Sequence, residues 1–300
     1  MITPEGLSPF NLPEQPIYTE IENRTQLLQY LAGIFDVSGS ITIQHNPPTT
    51  RRGESFALRL DFARTNPIIV RLIDQVFPAS TGQYPNLPDG KTRNRWFAKA
   101  KKAEVVLETL KPYLVLKHGH LQVVDEFLAL KGVRTAQESE EFKRRMVELN
   151  RSPIVQGDDG NLPDAYIAGV LDAHGSILLD TKIHLPGLTL NVTVNNHSFM
   201  QRVAQYFEST IIPQKNKNGS IRSYAVNLSA NRALEKLVQL RPHLRLLQPL
   251  ADLGIKFQNL RNSPGSRSKY EERKLEETRI TAEARVILQQ NNRRVRSPLG

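Results

Sequence analysis

The sequence predicts an α+β protein built from two pseudo-symmetric copies of one αββαββα unit. The first observation is a repeated motif, LAGIFDVSGSI at 31–41 and IAGVLDAHGSI at 167–177, in which a helix of small residues runs into a strand. The second is a repeat at the unit ends, LKPYL at 110–114 and LRPHL at 240–244. The third is the shared order of helical and alternating patterns between them. Repeats at offsets of 136 and 130 residues indicate an internal duplication.

The first copy begins with a helix that Asn23 or Thr25 can cap and that runs to Val37. Strand 55–64 shows the clearest alternation of apolar and polar residues. The predicted elements are, in order, helix 23–37, strands 40–44 and 55–64, helix 66–77, a loop rich in glycine and proline at 78–90, strand 93–101, and helices 102–110 and 119–130. Each sheet is expected to have an apolar face under its helices and an open polar face.

The second copy repeats this pattern with helix 163–173, strands 176–182 and 188–195, helix 198–208, strand 221–228, helix 231–240 and a last helix ending at 260. The whole chain is thus divided into an N-terminal arm (1–22), a first repeat (23–131), a linker (132–162), a second repeat (163–260) and a basic C-terminal tail (261–300). The linker is expected to contain a charged helix at 138–150. A helix at 269–290 in the tail is too polar to bury by itself, so it is expected to lie on nucleic acid or to be disordered.

Charge and composition restrict the function. Lysine and arginine number 40 against 30 acids, for a net charge of +10, which favours a polyanionic partner. The absence of cysteine excludes disulfides and thiolate zinc sites and fits a reducing compartment. No stretch approaches the roughly 18 apolar residues of a membrane span, and residues 1–16 lack a signal-peptide pattern. We therefore expect an intracellular protein, cytoplasmic or organellar, that is not secreted and does not bind membranes.

The repeated motif contains small residues where two helices can meet. Ala32 and Gly33 in the first copy, and Ala168 and Gly169 in the second, lack the bulk that would keep two helix backbones apart. The sequence therefore predicts a close interface between the two motif helices. Both copies carry the same Gly-x-x-Asp-x-x-Gly-Ser-Ile pattern, whose final glycine permits the turn from helix into strand.

These two motifs, the αββαββα order, the Pro-x-Leu segments, the size and the charge together resemble the LAGLIDADG homing endonuclease family in its single-chain, two-repeat form. The resemblance covers about residues 25–260. It implies a monomer with an internal pseudo-dimer, shaped as a saddle with the motif helices at its centre. It also implies that the two open antiparallel sheets lie in successive major grooves of a long double-stranded DNA site.

Side chains on the polar strand faces are the candidates for reading DNA, because base edges in the major groove carry a full donor and acceptor code. The second sheet is less basic than the first, so unequal contributions are expected. Candidates from the strands are Thr42, Gln44, Arg59, Asp61, Arg93, Arg95, Lys99, Lys182, Asn191, Thr193, Asn195, Arg222 and Tyr224. Loop residues predicted to contact phosphates are Arg51, Arg52, Lys215 and Lys217.

The catalytic positions depart from the family pattern. The resemblance implies divalent metals held by an acid just before the final glycine of each motif, and these positions are Ser38 and His174 here. Asp36 and Asp172 match an earlier acid whose implied role is structural. A metal in a shifted pocket would need Asp36, Asp172 or His174 as ligands. Because a helix turns by about 100° per residue, an aspartate two residues earlier points its carboxylate far from the family's direction.

A basic residue of the catalytic pocket is also kept in only one copy. The resemblance places it shortly after the Pro-x-Leu segment, at Lys117 in the first half and at Leu247 in the second. His118 and His120 lie close in sequence but are predicted to be ordinary surface residues, and the sequence contains neither a phosphate-binding glycine loop nor a metal-spaced histidine pair.

The sequence therefore favours a sequence-specific double-stranded DNA-binding protein whose cleavage is lost or impaired, acting as a regulator or accessory factor of a mobile element. It needs no cofactor if it is inactive, and Mg²⁺ if any cleavage remains. One alternative is an intron maturase that binds structured intron RNA and helps splicing. Others are an active homing endonuclease or nickase with a non-standard metal site, and a duplicated scaffold that binds protein.

Overall fold

A computed structural model of the chain describes residues 24–50, 53–84, 92–151, 161–181, 187–263 and 268–292. The predicted N-terminal arm and residues 293–300 of the tail lie outside these ranges, as do Arg51, Arg52 and Lys182 among the predicted DNA contacts. Along the described residues, no helix combines the length and the apolar character that crossing a bilayer requires.

The first half follows the predicted αββαββα order, and its third strand lies in the segment that we predicted as a loop. Its elements are α1 (Arg24–Ser38), β1 (Gly39–Asn46), β2 (Ser55–Arg64), α2 (Pro67–Val76), β3 (Ser80–Tyr84), β4 (Arg93–Lys99), α3 (Lys101–Leu110), a 3₁₀ turn (Lys111–Tyr113), α4 (His118–Ala129) and α5 (Ala136–Arg151). The start of α2 shows how local sequence sets these bounds, because the Asn66 side chain accepts a bond from the Ile68 amide and Pro67 occupies the first turn.

The second half repeats this order. Its elements are α6 (Asp164–His174), β5 (Gly175–Leu179), β6 (Leu188–Val194), α7 (His197–Tyr206), β7 (Ile212–Lys215), β8 (Ile221–Ser229), α8 (Ala230–Leu240), a 3₁₀ turn (Arg241–His243), α9 (Gln248–Asn262) and α10 (Ser268–Asn292). Strand β5 ends before residue 182, the predicted limit, so that strand is shorter than expected.

The two sheets have the same topology. All strand pairs are antiparallel, in the orders β1-β2-β4-β3 and β5-β6-β8-β7. The edge strands β3 and β7 lie where we predicted loops, because every residue in them is exposed and they show no apolar alternation. Pro213 in β7 is compatible with an edge position, where an amide donor is not needed.

One face of each sheet packs under the helices, as alternation predicts. Ile41, Leu60 and Trp96 are buried in the first sheet, and Leu190 and Val226 occupy the same layer of the second. The opposite face of each sheet carries the polar residues and is more exposed than the face under the helices. The two halves meet through α1 and α6, which form the largest contact between helices in the molecule's described part.

Helix α5, which lies in the predicted linker, is part of the first half's core. Its Phe142 and Met146 are buried, and Phe142 packs edge-on against Phe127 of α4 with ring centroids 5.8 Å apart. At its start, Thr135 and Glu138 exchange bonds as a capping box, with the Thr135 amide 2.7 Å from the Glu138 carboxylate. The segment therefore both connects the repeats and covers the first sheet.

Helix α10 differs from the expectation for a polar tail. Ile280 and Ala284, one helical turn apart, are buried against the rest of the protein, and α10 packs on α9. Lys256 of α9 pairs with Glu276 at 2.6 Å, which fixes the helix from its polar side. The expectation of disorder is therefore wrong for the described residues of this helix, whose apolar side chains Ile280 and Ala284 pack against the protein, and contact of the tail with nucleic acid stays a prediction.

His120 is buried, contrary to the surface position we predicted. Its Nε2 lies 3.3 Å from Oδ1 of Asn150, whose amide nitrogen donates to the Ile41 carbonyl at 2.8 Å, so the ring joins α4, α5 and β1. Burial, and then the charge of Lys117, lowers the pKa of His120 to about 4, against the opposing bond from Asn150.

Acidification is therefore expected to destabilise the fold through His120. The unfolded state binds a proton near pH 6.5, whereas the folded state resists it until about pH 4. Stability is complete above the unfolded pKa and is lost as the pH falls, by up to about 3 kcal/mol. Urea unfolding of wild type and His120→Gln between pH 7 and pH 4 measures this, because glutamine still donates to Asn150 but does not titrate. Parallel pH profiles for the two proteins would contradict it.

Candidate nucleic-acid interface and central pocket

The motif helices α1 and α6 cross with their backbones in direct contact. A Cβ added to Gly33 would lie 2.1 Å from the carbonyl oxygen of Tyr166, and one added to Gly169 would lie 2.1 Å from that of Tyr30. Ala32 and Ala168 beside them are fully buried. Glycine is required at both positions because no side chain fits between the helices.

Two tyrosine–aspartate bonds link the halves reciprocally. The Tyr30 hydroxyl of α1 donates to Asp172 of α6 at 2.7 Å, and the Tyr166 hydroxyl of α6 donates to Asp36 of α1 at 2.6 Å. All four side chains are buried. Each bond crosses the helix pair, so neither half completes its own hydrogen-bonding network alone.

Each of these aspartates also holds the segment before a later helix of its own half. Asp36 accepts from the amides of Val115, Leu116 and Lys117 at 2.7, 3.1 and 3.0 Å, just before α4. Burial raises the pKa of Asp36, against the lowering effect of the Tyr166 and backbone donors and of Lys117.

Asp172 does the same in the second half, with the amides of Arg245, Leu246 and Leu247 at 2.7, 3.0 and 2.9 Å, just before α9. Burial raises its pKa too, again against the donors around it. Both carboxylates thus accept four bonds from the chain itself. They are structural acceptors, and neither is directed at an open pocket where a metal would bind.

The predicted basic pocket residue Lys117 is buried beside Asp36. Its side chain is 5% exposed, and burial lowers its pKa while the charge of Asp36 opposes that effect. Leu247 occupies the corresponding place in the second half and is also buried. The two halves therefore differ at this position, with a buried ammonium group in the first and a buried apolar side chain in the second.

The helix ends bring Ser38 and His174 together with a third residue, Arg64, from the end of β2. The Arg64 guanidinium donates to the Ser38 hydroxyl. Burial, and then the charge of Arg64, lowers the pKa of His174 to about 4, against backbone bonds to Val37 and Thr193. Burial and repulsion from Arg93 lower the pKa of Arg64 to about 10, so it keeps its charge at neutral pH.

This central pocket does not fit a divalent metal. Hard cations require oxygen ligands, preferably carboxylates, whereas the pocket offers one hydroxyl, one imidazole and a guanidinium that repels cations. Among the described residues, no group of three or more histidine, aspartate or glutamate side chains is placed to hold a metal. Arg64 was not singled out by the sequence, because 26 residues separate it from Ser38 and only the sheet brings them together.

The polar face of the first sheet contains an ordered cationic network around Asp61. Arg59 Nε donates to the Asp61 carboxylate at 2.8 Å and Arg95 Nε donates to it at 2.7 Å. Arg59 Nη1 also donates to Gln44 at 2.9 Å. Burial raises the pKa of Asp61, against hydrogen bonding and charge from Arg59 and the charge of Lys99.

An aromatic side chain supports this network from within the sheet. The Phe97 ring centroid lies 4.9 Å from the Arg59 guanidinium, 4.6 Å from that of Arg95 and 5.6 Å from the Lys99 ammonium. Arg95 also lies 4.5 Å from the ring centroid of Tyr84. Rings under guanidinium groups restrict their motion and stabilise their charge.

The polar face of the second sheet is neutral along most of its length. Asn191 donates to Asn227, and Thr193 donates to Asn191 at 3.1 Å. These side chains line a groove of about 1000 Å³ that begins at Val37 and His174 in the centre and ends at the exposed Lys215, Lys217 and Arg222. Asn195 lines the same groove.

Thr42 and Arg93 lie on the predicted face of the first sheet, whereas Tyr224 lies on the opposite face of the second. Thr42 lies on the polar face of the first sheet, where its hydroxyl donates to the Arg59 carbonyl at 3.4 Å, and Arg93 begins β4 on that face. Tyr224, however, pairs with the buried Val194 and its ring packs against His197, 4.8 Å between centroids. It therefore belongs to the helix-covered face, and the prediction that it reads DNA from the open face is wrong.

Solved structures similar to this fold include LAGLIDADG homing endonucleases. I-SmaMI bound to cleaved DNA matches with a TM-score of 0.62 and 12% identity, covering 89% of this chain and 98% of that one. I-GzeII in complex with its DNA target matches at 0.61 and 11%, covering 85% and 96%. I-LtrWI bound to target DNA matches at 0.60 and 13%, covering 91% and 100%. No protein-family model matches the sequence, and no curated protein matches it significantly.

The chain therefore has the two-repeat fold of the single-chain LAGLIDADG homing endonucleases. This confirms both the predicted α+β architecture and the resemblance drawn from the two helix motifs. At identities of 11–13%, these matches show the fold, and the activity has to be argued from the side chains.

Proposed function

We propose that this protein binds a specific double-stranded DNA sequence through its two open sheets and does not cleave it with divalent metals. The observation that carries the second half of this proposal is the central pocket, where Ser38, His174 and the Arg64 guanidinium stand in place of metal-binding acids. DNA binding is supported by the net charge of +10 and by two open polar sheet faces.

The structural neighbours support DNA as the partner. I-SmaMI, I-GzeII and I-LtrWI are each bound to DNA in their structures. In this chain the sheets that would occupy the major grooves carry arginines in the first half and amides in the second. These are the side-chain types that pair with base edges. One chain supplies both halves, so the protein would bind as a monomer.

Loss of cleavage follows from the charges at the helix ends. The comparison is with I-SmaMI, which has been observed on uncleaved DNA in the presence of calcium, a divalent ion. In this chain Asp36 and Asp172 each accept three backbone amides and one tyrosine hydroxyl, and the Arg64 guanidinium donates to Ser38 and lowers the pKa of His174 at the helix ends. The protein would then act as a regulator or accessory factor of a mobile element, without cutting.

The test is selection of bound duplexes from a randomised pool, followed by cleavage assays on the selected sequence. Equal affinity in Mg²⁺, Mn²⁺ and EDTA at matched ionic strength is expected, with no cut ends. Affinity should fall steeply with salt because several phosphates are neutralised. Cut ends in the wild-type reaction would contradict the proposal, and so would a structured RNA that outcompetes the selected duplex.

The double variant Ser38→Asp with His174→Asp is expected to gain weak Mg²⁺-dependent cleavage of the selected site. The new carboxylates would supply the oxygen ligands that the pocket lacks, while Arg64 and Leu247 would keep the rate low. The matched control is Ser38→Asn with His174→Asn, which has side chains of the same size without charge. Equal activity, or inactivity of both variants despite normal binding, would show that the lost acids are not what limits cleavage.

A further inference from the structure

The two sheets can be compared position by position, because their strand registers are equivalent. Thr42 pairs with Arg59 in the first sheet, as Leu178 pairs with Thr189 in the second. Along the central strands, the charged side chains paired on the polar face of the first sheet have neutral counterparts in the second. The equivalent pairs are Arg59 and Thr189, Asp61 and Asn191, Arg95 and Ala225, and Lys99 and Ser229, and the uncharged Phe97 corresponds to Asn227.

We infer from this difference that the two halves select different bases: guanine under the first sheet, and adenine and thymine under the second. The inference rests on the proposed function and names the kind of DNA that it recognises. Arginine donates two bonds to the O6 and N7 acceptors of guanine, whereas asparagine and glutamine pair with the N6 and N7 of adenine.

Contacts within the first sheet fix the orientation of Arg59 and Arg95 before any guanine is bound. Arg59 uses three of its nitrogens within the protein, on Asp61 and Gln44, and Arg95 uses two of its nitrogens on Asp61. A guanidinium has five N–H donors, so Arg59 and Arg95 each keep N–H donors that these contacts do not use and that a base can accept. Asp61 and the Phe97 ring fix the planes of both groups, which reduces the conformational entropy lost on binding.

The second sheet offers what adenine and thymine need. Asn191 and Asn227 form one amide pair on its polar face, and Gln214 lines the same groove. Leu178 stands on this face and is 51% exposed, although it is apolar. Apolar side chains contact the thymine methyl group in the major groove, which gives this exposed leucine a partner.

The first experiment locates each half of the selected motif under its sheet. The chain has no cysteine, so Gly53→Cys gives a single attachment site for an iron–EDTA probe in the β1–β2 loop. A Cβ at this position meets no atom within 4 Å, so the variant should fold normally. The probe is expected to cut the half of the motif that contains guanine-rich positions, and the distant half should be rich in A·T pairs.

Two results would overturn the inference. A specific motif whose halves have the same base preference, or the reverse preference, would leave DNA binding intact and remove the assignment of bases. Failure to select any duplex motif would remove the proposed function and this inference with it.

The second experiment tests the arginines by a change of specificity. Wild type should bind the selected duplex on the order of tenfold more tightly than the same duplex in which adenine replaces the guanine that faces Arg95. Arg95→Gln should lose that discrimination. Arg144→Gln is the control, because it removes the same charge from an exposed position on α5 and should leave the ratio unchanged. If Arg95→Gln keeps the guanine preference, Arg95 does not read that base.

Discussion

Replacing Gly33 by alanine is expected to lower the free energy of unfolding by at least ~3 kcal/mol. The added Cβ would lie 2.1 Å from the Tyr166 carbonyl oxygen, which is backbone and cannot rotate away. The helices would have to separate, and that movement would stretch both tyrosine–aspartate bonds between the halves. Urea unfolding followed by circular dichroism measures the loss.

The matched controls for this substitution are glycines in open space. A Cβ at Gly53 or Gly82 meets nothing within 4 Å, so alanine there should change stability by less than about 1 kcal/mol. Gly169→Ala should resemble Gly33→Ala, because the contact is reciprocal. If Gly33→Ala unfolds at the same urea concentration as Gly53→Ala, the helices are not packed as closely as described.

Replacing Asp172 by alanine is expected to cost ~4 kcal/mol, the second of the two large effects. The substitution removes the acceptor for the Tyr30 hydroxyl and for three consecutive backbone amides, Arg245 to Leu247. Buried donors without acceptors are costly because water does not reach them. Hydrogen exchange at these three amides should accelerate more than in the rest of the second half.

Two controls separate this effect from loss of charge. Tyr30→Phe removes only one of the four donors and should cost about 1 kcal/mol. Asp252→Ala breaks an exposed ion pair with Arg241 and should cost less than about 1 kcal/mol. If Asp172→Ala were no more harmful than Asp252→Ala, the buried carboxylate would not be structural, and its assignment to a metal would have to be reconsidered.

Much of the fold could be predicted from the sequence, because each half repeats strong local patterns. The small residues at 32–33 and 168–169 predicted a helix interface, and the structure places α1 against α6 there. Alternation predicted the central strands β2 and β6, whose apolar residues do face the helices. The edge strands β3 and β7 were missed because their residues are exposed on both faces and leave no periodic signal.

The site was less predictable because it depends on strand register. We assigned Tyr224 to the wrong face of its sheet. Paired residues on neighbouring strands share a face, and its partner Val194 faces the helices. Phe97 could have been found from its alternation with Arg95 and Lys99, which places all three on one face. Nothing local in the sequence connects Arg64 with Ser38, because that contact exists only after β1 and β2 have paired.

The reciprocal tyrosine–aspartate exchange also has an evolutionary consequence. Tyr30 and Tyr166 are separated by the same 136 residues as Asp36 and Asp172, so both bonds are copies of one bond. In a half-length ancestor that assembled as a homodimer, one tyrosine and one aspartate codon would have specified both. In the single chain each bond has its own tyrosine and its own aspartate, so a substitution at one of these four positions removes one bond and leaves its copy in place.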